Sequence, residues 1–109
     1  MKPIVFHPKA RDAIRGFPQD VRDRLGKALY LLQMGEHLGM PLSRSMPVIG
    51  SGVAELRVRG VDGHFRVFYF AASDEGIMVM HAFAKKTSQT PDSDIQLARK
   101  RLKEMLHDK

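Results

Sequence analysis

With 109 residues, 43% of them hydrophobic, the chain can supply one modest core, and a single domain spanning residues 1–109 is expected. It has no cysteine, which excludes disulfides, thiolate metal sites and thiol nucleophiles. Its net charge of +6 favours an anionic partner: nucleic acid, an acidic protein or a negatively charged membrane surface.

No stretch approaches the roughly 20 apolar residues of a membrane span, and "MKPIVFHPKA" lacks the apolar centre of a secretory signal. A cytoplasmic protein without membrane contact is therefore expected. "KPIVF" is short, β-branched and bounded by prolines, which predicts a first strand that Pro3 confines to a sheet edge. Ala10, Ala13, Ile14 and Phe17 then fall at i, i+3, i+4 and i+7, the spacing of a one-faced helix that Gly16 should end. Pro18 can open a second helix, in which Val21, Leu25, Ala28, Leu29 and Leu32 share a face and Gly35 supplies the stop. Together these make a helical hairpin.

Residues 36–52 have no sustained period and read as a long surface connection. In it Met40 and Met46 fill gaps under the loop or offer an adaptable binding surface, the former being favoured. Gly50-Ser51-Gly52 has neither the length nor the lysine of a phosphate loop. The stretch "ELRVRGVDGHFRVFYF", residues 55–70, alternates as a hairpin turning at Asp62-Gly63, and "IMVMHAF" after "SDEG" makes a third strand of a meander. Thr90 and Pro91 look like a cap and a first helical position, with Asp92 and Asp94 favourable to the helix dipole. Ile95, Ala98, Leu102 and Met105 form the core stripe of that last helix, while Arg99, Lys100 and Lys103 point away. The expected class is α+β, a small, mainly antiparallel sheet in the order β-α-α-β-β-β-α.

A two-residue turn at Asp62-Gly63 would oppose Val61 to His64, Arg59 to Arg66, Arg57 to Phe68 and Leu56 to Tyr69. Leu56, Val58, Phe65, Val67 and Tyr69 then share a packing face. Glu55, Arg57, Arg59, His64, Arg66, Phe68 and Phe70 share the other. Directly opposed arginines cost about a few tenths to 1 kcal/mol, so their selection points to an anion at that face. A solvated face that keeps a small sheet soluble is the competing explanation. "HAFAKKT" adds His81, Phe83, Lys85 and Lys86 beside the hairpin. Arginine forks, ammonium groups and rings on one face suit RNA, whose phosphates need cations and whose unpaired bases can stack. No metal-ligand spacing occurs: His7, His37, His64, His81 and His107 are scattered, and no pair of carboxylates lines one helix face. Neither metal nor other cofactor is expected, and a metal-free phosphate chemistry is favoured by elimination.

Glu55-Leu56-Arg57, Phe65-Arg66, Tyr69, His81, Phe83, Lys85-Lys86-Thr87, Thr90-Pro91 and Ala98 occur in an order that closely resembles the RelE/ParE toxin superfamily. The likeness is to its phage-derived host-killing branch, which includes HigB-type toxins. It spans over half the chain; the amino-terminal helices agree in layout only. Phe65 stands where the family often has tyrosine, which removes a hydroxyl that could relay a proton.

The resemblance implies the toxin of a type II toxin-antitoxin pair. Its partners would be a cognate helix-turn-helix antitoxin, the ribosome and mRNA. The activity implied is a ribosome-dependent endonuclease that leaves a 2′,3′-cyclic phosphate. On that basis Arg66 stabilises the reacting phosphate, Lys85 and His81 are preferred for proton transfer, and Arg57 and Arg59 clamp neighbouring phosphates. Lys86 and His64 are further candidates for phosphate binding or proton transfer, and Phe68 or Phe83 would hold a splayed base. Two other readings stay open: a gyrase-targeting, ParE-like toxin, and a non-catalytic phage-derived module binding nucleic acid or protein through the same patch.

Overall fold

The computed structural model describes residues 1–87 and 89–107. Strand β1 (Ile4–Phe6) leads to helices α1 (Pro8–Arg15) and α2 (Gln19–Gln33). Strands β2 (Ser43–Ser45), β3 (Val53–Gly60), β4 (Gly63–Ser73) and β5 (Gly76–Lys85) follow, and α3 (Asp92–His107) ends the fold. The sheet runs β1-β5-β4-β3-β2, antiparallel except for the parallel β1–β5 pair. The α+β architecture and the edge position of β1 agree with the sequence reading.

The first helix begins at Pro8, whose missing N–H costs nothing there, and His7 Nδ1 accepts the backbone N–H of Lys9. Gly16 ends it. Val21, Leu25, Ala28, Leu29 and Leu32 of α2 are buried, and Gly35 takes φ +88° just past that helix. The predicted stripe of α2 thus meets Leu56, Val58, Phe65, Val67 and Tyr69 across the larger core. Phe17 packs edge-to-face on Phe65 at 4.9 Å, and Tyr69 shares a buried 2.7 Å hydrogen bond with Ser43.

On the opposite face a smaller core joins Ala98 and Leu102 of α3 to Val53, Phe68 and Met80, with Met46 and Ile49 beneath the turn before β3. Ile95 and Met105 flank it as the helical stripe predicts. α3 begins one residue later than expected, because the Pro91 carbonyl already accepts the Ile95 N–H at 3.3 Å. The Thr90 hydroxyl bonds elsewhere.

Three expectations need correction. Within the supposed loop of residues 36–52, Ser43–Ser45 pair with Ala54–Leu56 as β2, so the sheet has a strand more than the predicted order. Of the two methionines there, Met46 is buried and Met40 is exposed. The hairpin turns over Val61-Asp62, closed by the Gly60–Gly63 pair, rather than over Asp62-Gly63. Arg57 therefore opposes Arg66, and Arg59 opposes His64. This displacement is two residues, an even number, so every side chain keeps the face assigned to it.

A β-bulge completes the layout. Phe68 opposes His81 but Tyr69 opposes Val79, so Met80 and His81 together face one partner residue and both lie on the α3 side. Ile77 and Val79 before the bulge, and Ala82 after it, lie on the α1–α2 side. Phe83 and Lys85 are thereby delivered to the face that carries Arg57 and Arg66.

Candidate functional site

Three cross-strand rows build the second face of the sheet. The first runs Arg44, Glu55, Phe68, His81; the second Arg57, Arg66, Phe83; the third Arg59, His64, Lys85. α3 and the turn around Met46 cover the first row. The β3 and β4 members of the other two rows, Arg57, Arg59, His64 and Arg66, line an open concavity of about 400 Å³ together with Pro41 and Leu42.

Glu55 is the centre of the arrangement. It is fully buried, and its Oε1 lies 3.7 Å from Arg44 Nη2, 3.6 Å from Arg57 Nε and 3.7 Å from Arg66 Nε. A single carboxylate thus gathers three guanidiniums. That explains how Arg57 and Arg66 tolerate their opposition, and it leaves an excess of positive charge at the surface. Arg66 is 2% exposed; burial works against its charge while Glu55 sustains it. The Arg44 and Arg57 side chains are more open, at 43% and 23%.

Lys85 is half-buried, with Nζ 5.7 Å from the Phe83 ring centre and donating to Thr90 Oγ1 at 3.3 Å. Its pKa is lowered, first by desolvation and then by Arg66, against the raising influence of Glu55. His64, paired in register with Lys85, also has a lowered pKa, first from desolvation and then from the charges of Arg66, Arg59 and Lys85. The shift favours the neutral imidazole of His64, which can accept a proton, and makes the Lys85 ammonium a readier proton donor. Arg59 and Lys86 are exposed.

Two expected site residues have different surroundings. Phe68 is fully buried in the smaller core, so it packs under α3 and has no open face for a base. His81 is 6% exposed, with both ring nitrogens engaged. Arg101 Nη1 lies 2.9 Å from Nδ1, and a guanidinium only donates, so Nδ1 accepts. The proton consequently sits on Nε2, which donates to Asp94 Oδ1 at 2.7 Å. Desolvation lowers the His81 pKa against the hydrogen bond and charge of Asp94. His81 thus ties α3 to the sheet instead of facing the concavity. Phe83 stacks on it at 5.1 Å and is half-buried. Tyr69 lies on the packing side, as the alternation requires.

Sequence reasoning missed Arg44, Glu55 as an organising charge, and Arg101. The signal for Arg101 was present: it stands three residues after Ala98, inside the stripe that faces the sheet. Nothing in "SRS" alone marks Arg44, because three polar residues do not establish a strand period.

Among the described residues no helix is long and apolar enough to cross a membrane. The family model for phage-derived Gp49-like proteins matches residues 12–103. The crystal structure of isolated E. coli RelE toxin superposes with a TM-score of 0.57 at 15% identity, covering 88% of this chain and 97% of that one. A mutant E. coli RelE in the free state gives a TM-score of 0.49 at 15% identity, covering 94% and 95%. No curated protein sequence is significantly similar to this chain. With a family match over most of its length, the chain belongs to the phage-derived Gp49-like family, and it shares the fold of RelE.

Proposed function

We propose that the protein is the toxin of a toxin-antitoxin pair and cleaves mRNA on the ribosome without a metal ion. The observation that carries this reading is the cluster of Arg44, Arg57 and Arg66 around buried Glu55, beside the His64–Lys85 pair. Cations held in place before the substrate arrives suit a transition state in which negative charge grows on phosphorus-bound oxygens.

In the reaction, neutral His64 accepts the proton of the RNA 2′-hydroxyl as that oxygen bonds to the adjacent phosphorus. The P–O5′ bond breaks, and the Lys85 ammonium gives its proton to the leaving oxygen. The products are a 2′,3′-cyclic phosphate and a free 5′-hydroxyl. Arg57 and Arg66 stabilise the phosphorane, while Arg59 and Lys86 hold flanking phosphates. The lowered pKa of each shuttle supports the assignment. His81, preferred for this work on the sequence alone, is replaced by His64, which borders the concavity.

The test is a pulse of expression without antitoxin, followed by mapping of RNA ends. Translated messages should acquire cyclic-phosphate ends, and Lys85→Ala or His64→Ala should reduce them by about 10²-fold or more. Intact growth and uncut transcripts after verified soluble expression would refute the ribonuclease reading. Gyrase-linked DNA breaks with undamaged mRNA would redirect it to the protein-targeting side of the superfamily.

A further inference from the structure

Thr90 is separated from the hairpin by the turn after β5, yet its hydroxyl sits between two groups of the site. Lys85 Nζ donates to Thr90 Oγ1 at 3.3 Å, and Thr90 Oγ1 donates to Glu55 Oε2 at 2.9 Å. The direction is dictated by chemistry: an ammonium can only donate and a buried carboxylate next to arginines accepts, so the hydroxyl must do one of each. Because the hydroxyl is spent here, it does not cap α3, whose first bond is accepted by Pro91. Glu55 then has two separate duties. Its Oε1 faces the three guanidiniums, and its Oε2 addresses the lysine through Thr90.

We infer that Thr90 and Glu55 are positioning residues of this site: the Glu55–Thr90 hydrogen bond orients the hydroxyl that holds the Lys85 ammonium, coupling the proton donor to the arginine cluster. The inference rests on the ribonuclease reading for its role in catalysis, but the coupling itself is a property of the unliganded protein. Lys85 is also paired in register with His64 of β4 and feels the charges of Arg66 from β4, Arg44 from β2 and Asp94 from α3. The two arginines favour loss of the lysine proton, while Glu55 and Asp94 oppose them. An acceptor already polarised by Glu55 therefore keeps Lys85 protonated and aimed.

The experiment follows the titration of Lys85 by NMR in protein carrying 13C-labelled lysine, its signal assigned with Lys85→Arg. Thr90→Val preserves shape and removes the hydroxyl; Thr90→Ser restores it. Thr90→Val should raise the neutral fraction of Lys85 at a given pH by about three- to tenfold, and Thr90→Ser should titrate like the wild type. The pH profile for RNA cleavage should move to lower pH by the same factor in Thr90→Val, not merely fall in height. A folded Thr90→Val protein whose Lys85 titrates as in the wild type overturns the coupling. A wild type that cuts no RNA overturns the ribonuclease reading instead, and leaves the lysine titration to decide the coupling.

Discussion

Replacing Glu55 by glutamine removes the charge but keeps the shape, and the structure says which arginine will suffer. The Arg44 and Arg57 side chains are 43% and 23% exposed and can turn toward water, whereas the Arg66 side chain is 3% exposed and cannot. At 3.7 Å and an effective dielectric of about 20, the lost Arg66–Glu55 attraction is about 4.5 kcal/mol. That agrees with the roughly 3–5 kcal/mol found when one partner of a buried pair is removed. A domain of this size has about 5–15 kcal/mol of stability, so Glu55→Gln should be marginally folded. Urea unfolding measures it directly. Sulfate or phosphate should rescue the variant more than it helps the wild type, because an anion can replace the missing charge. Glu55→Gln combined with Arg66→Met should be more stable than Glu55→Gln alone, since the second change removes the buried cation that Glu55 no longer balances. A Glu55→Gln protein within about 1 kcal/mol of wild type, with no added response to anions, would refute the central role given to this carboxylate.

Acid should weaken the fold through His81. Its folded pKa lies below 6.5, so an unfolded chain takes up the proton first; stability is complete above pH 6.5 and declines as pH falls toward the folded pKa. The loss is at most about 1.4 kcal/mol per pH unit for this group, and urea midpoints for His81→Asn should show a shallower pH slope, the remainder coming from His7 and His64. Identical slopes would remove His81 from the explanation. Phe68→Ala should cost about 3–5 kcal/mol as a core truncation; reduced RNA affinity with unchanged unfolding would instead return it to the binding surface. At Gly76, φ is +129° and an added Cβ would collide with the Pro3 carbonyl oxygen, which accepts the Ile77 N–H. Gly76→Ala should cost about 1–3 kcal/mol from backbone strain alone and speed amide exchange at Ile77; unchanged exchange would show that β1 is held by other means.

The faces of β3 and β4 were legible because alternation survives an error of two residues in register. The turn itself was not, since Gly60 and Gly63 frame Val61-Asp62 as readily as Asp62-Gly63 suggests another two-residue loop. β2 escaped notice because its evidence is the backbone pairing with β3 rather than a pattern within "SRS". His81 looked like a proton shuttle because of its place in the family motif. Its neighbours Asp94 and Arg101 come from a helix whose docking no local pattern reveals. Glu55 was visible as a member of a motif, but its work depends on arginines from three strands.

The bulge at Met80-His81 makes β5 two half-strands spliced out of phase. Before it, even-numbered positions from Met78 face α3; after it, odd-numbered positions do. Ten residues can therefore feed Ile77 and Val79 to one core, Met80 to the other, and Phe83 and Lys85 to the cationic rows. Removing one residue at the splice would restore simple alternation and leave Phe83 and Lys85 on the cationic face, whereas straightening the bulge with both residues present would send them toward α1 and α2. A single-codon deletion there would therefore keep the inside and outside of both half-strands and lose one of the two consecutive side chains, Met80 and His81, that now face α3.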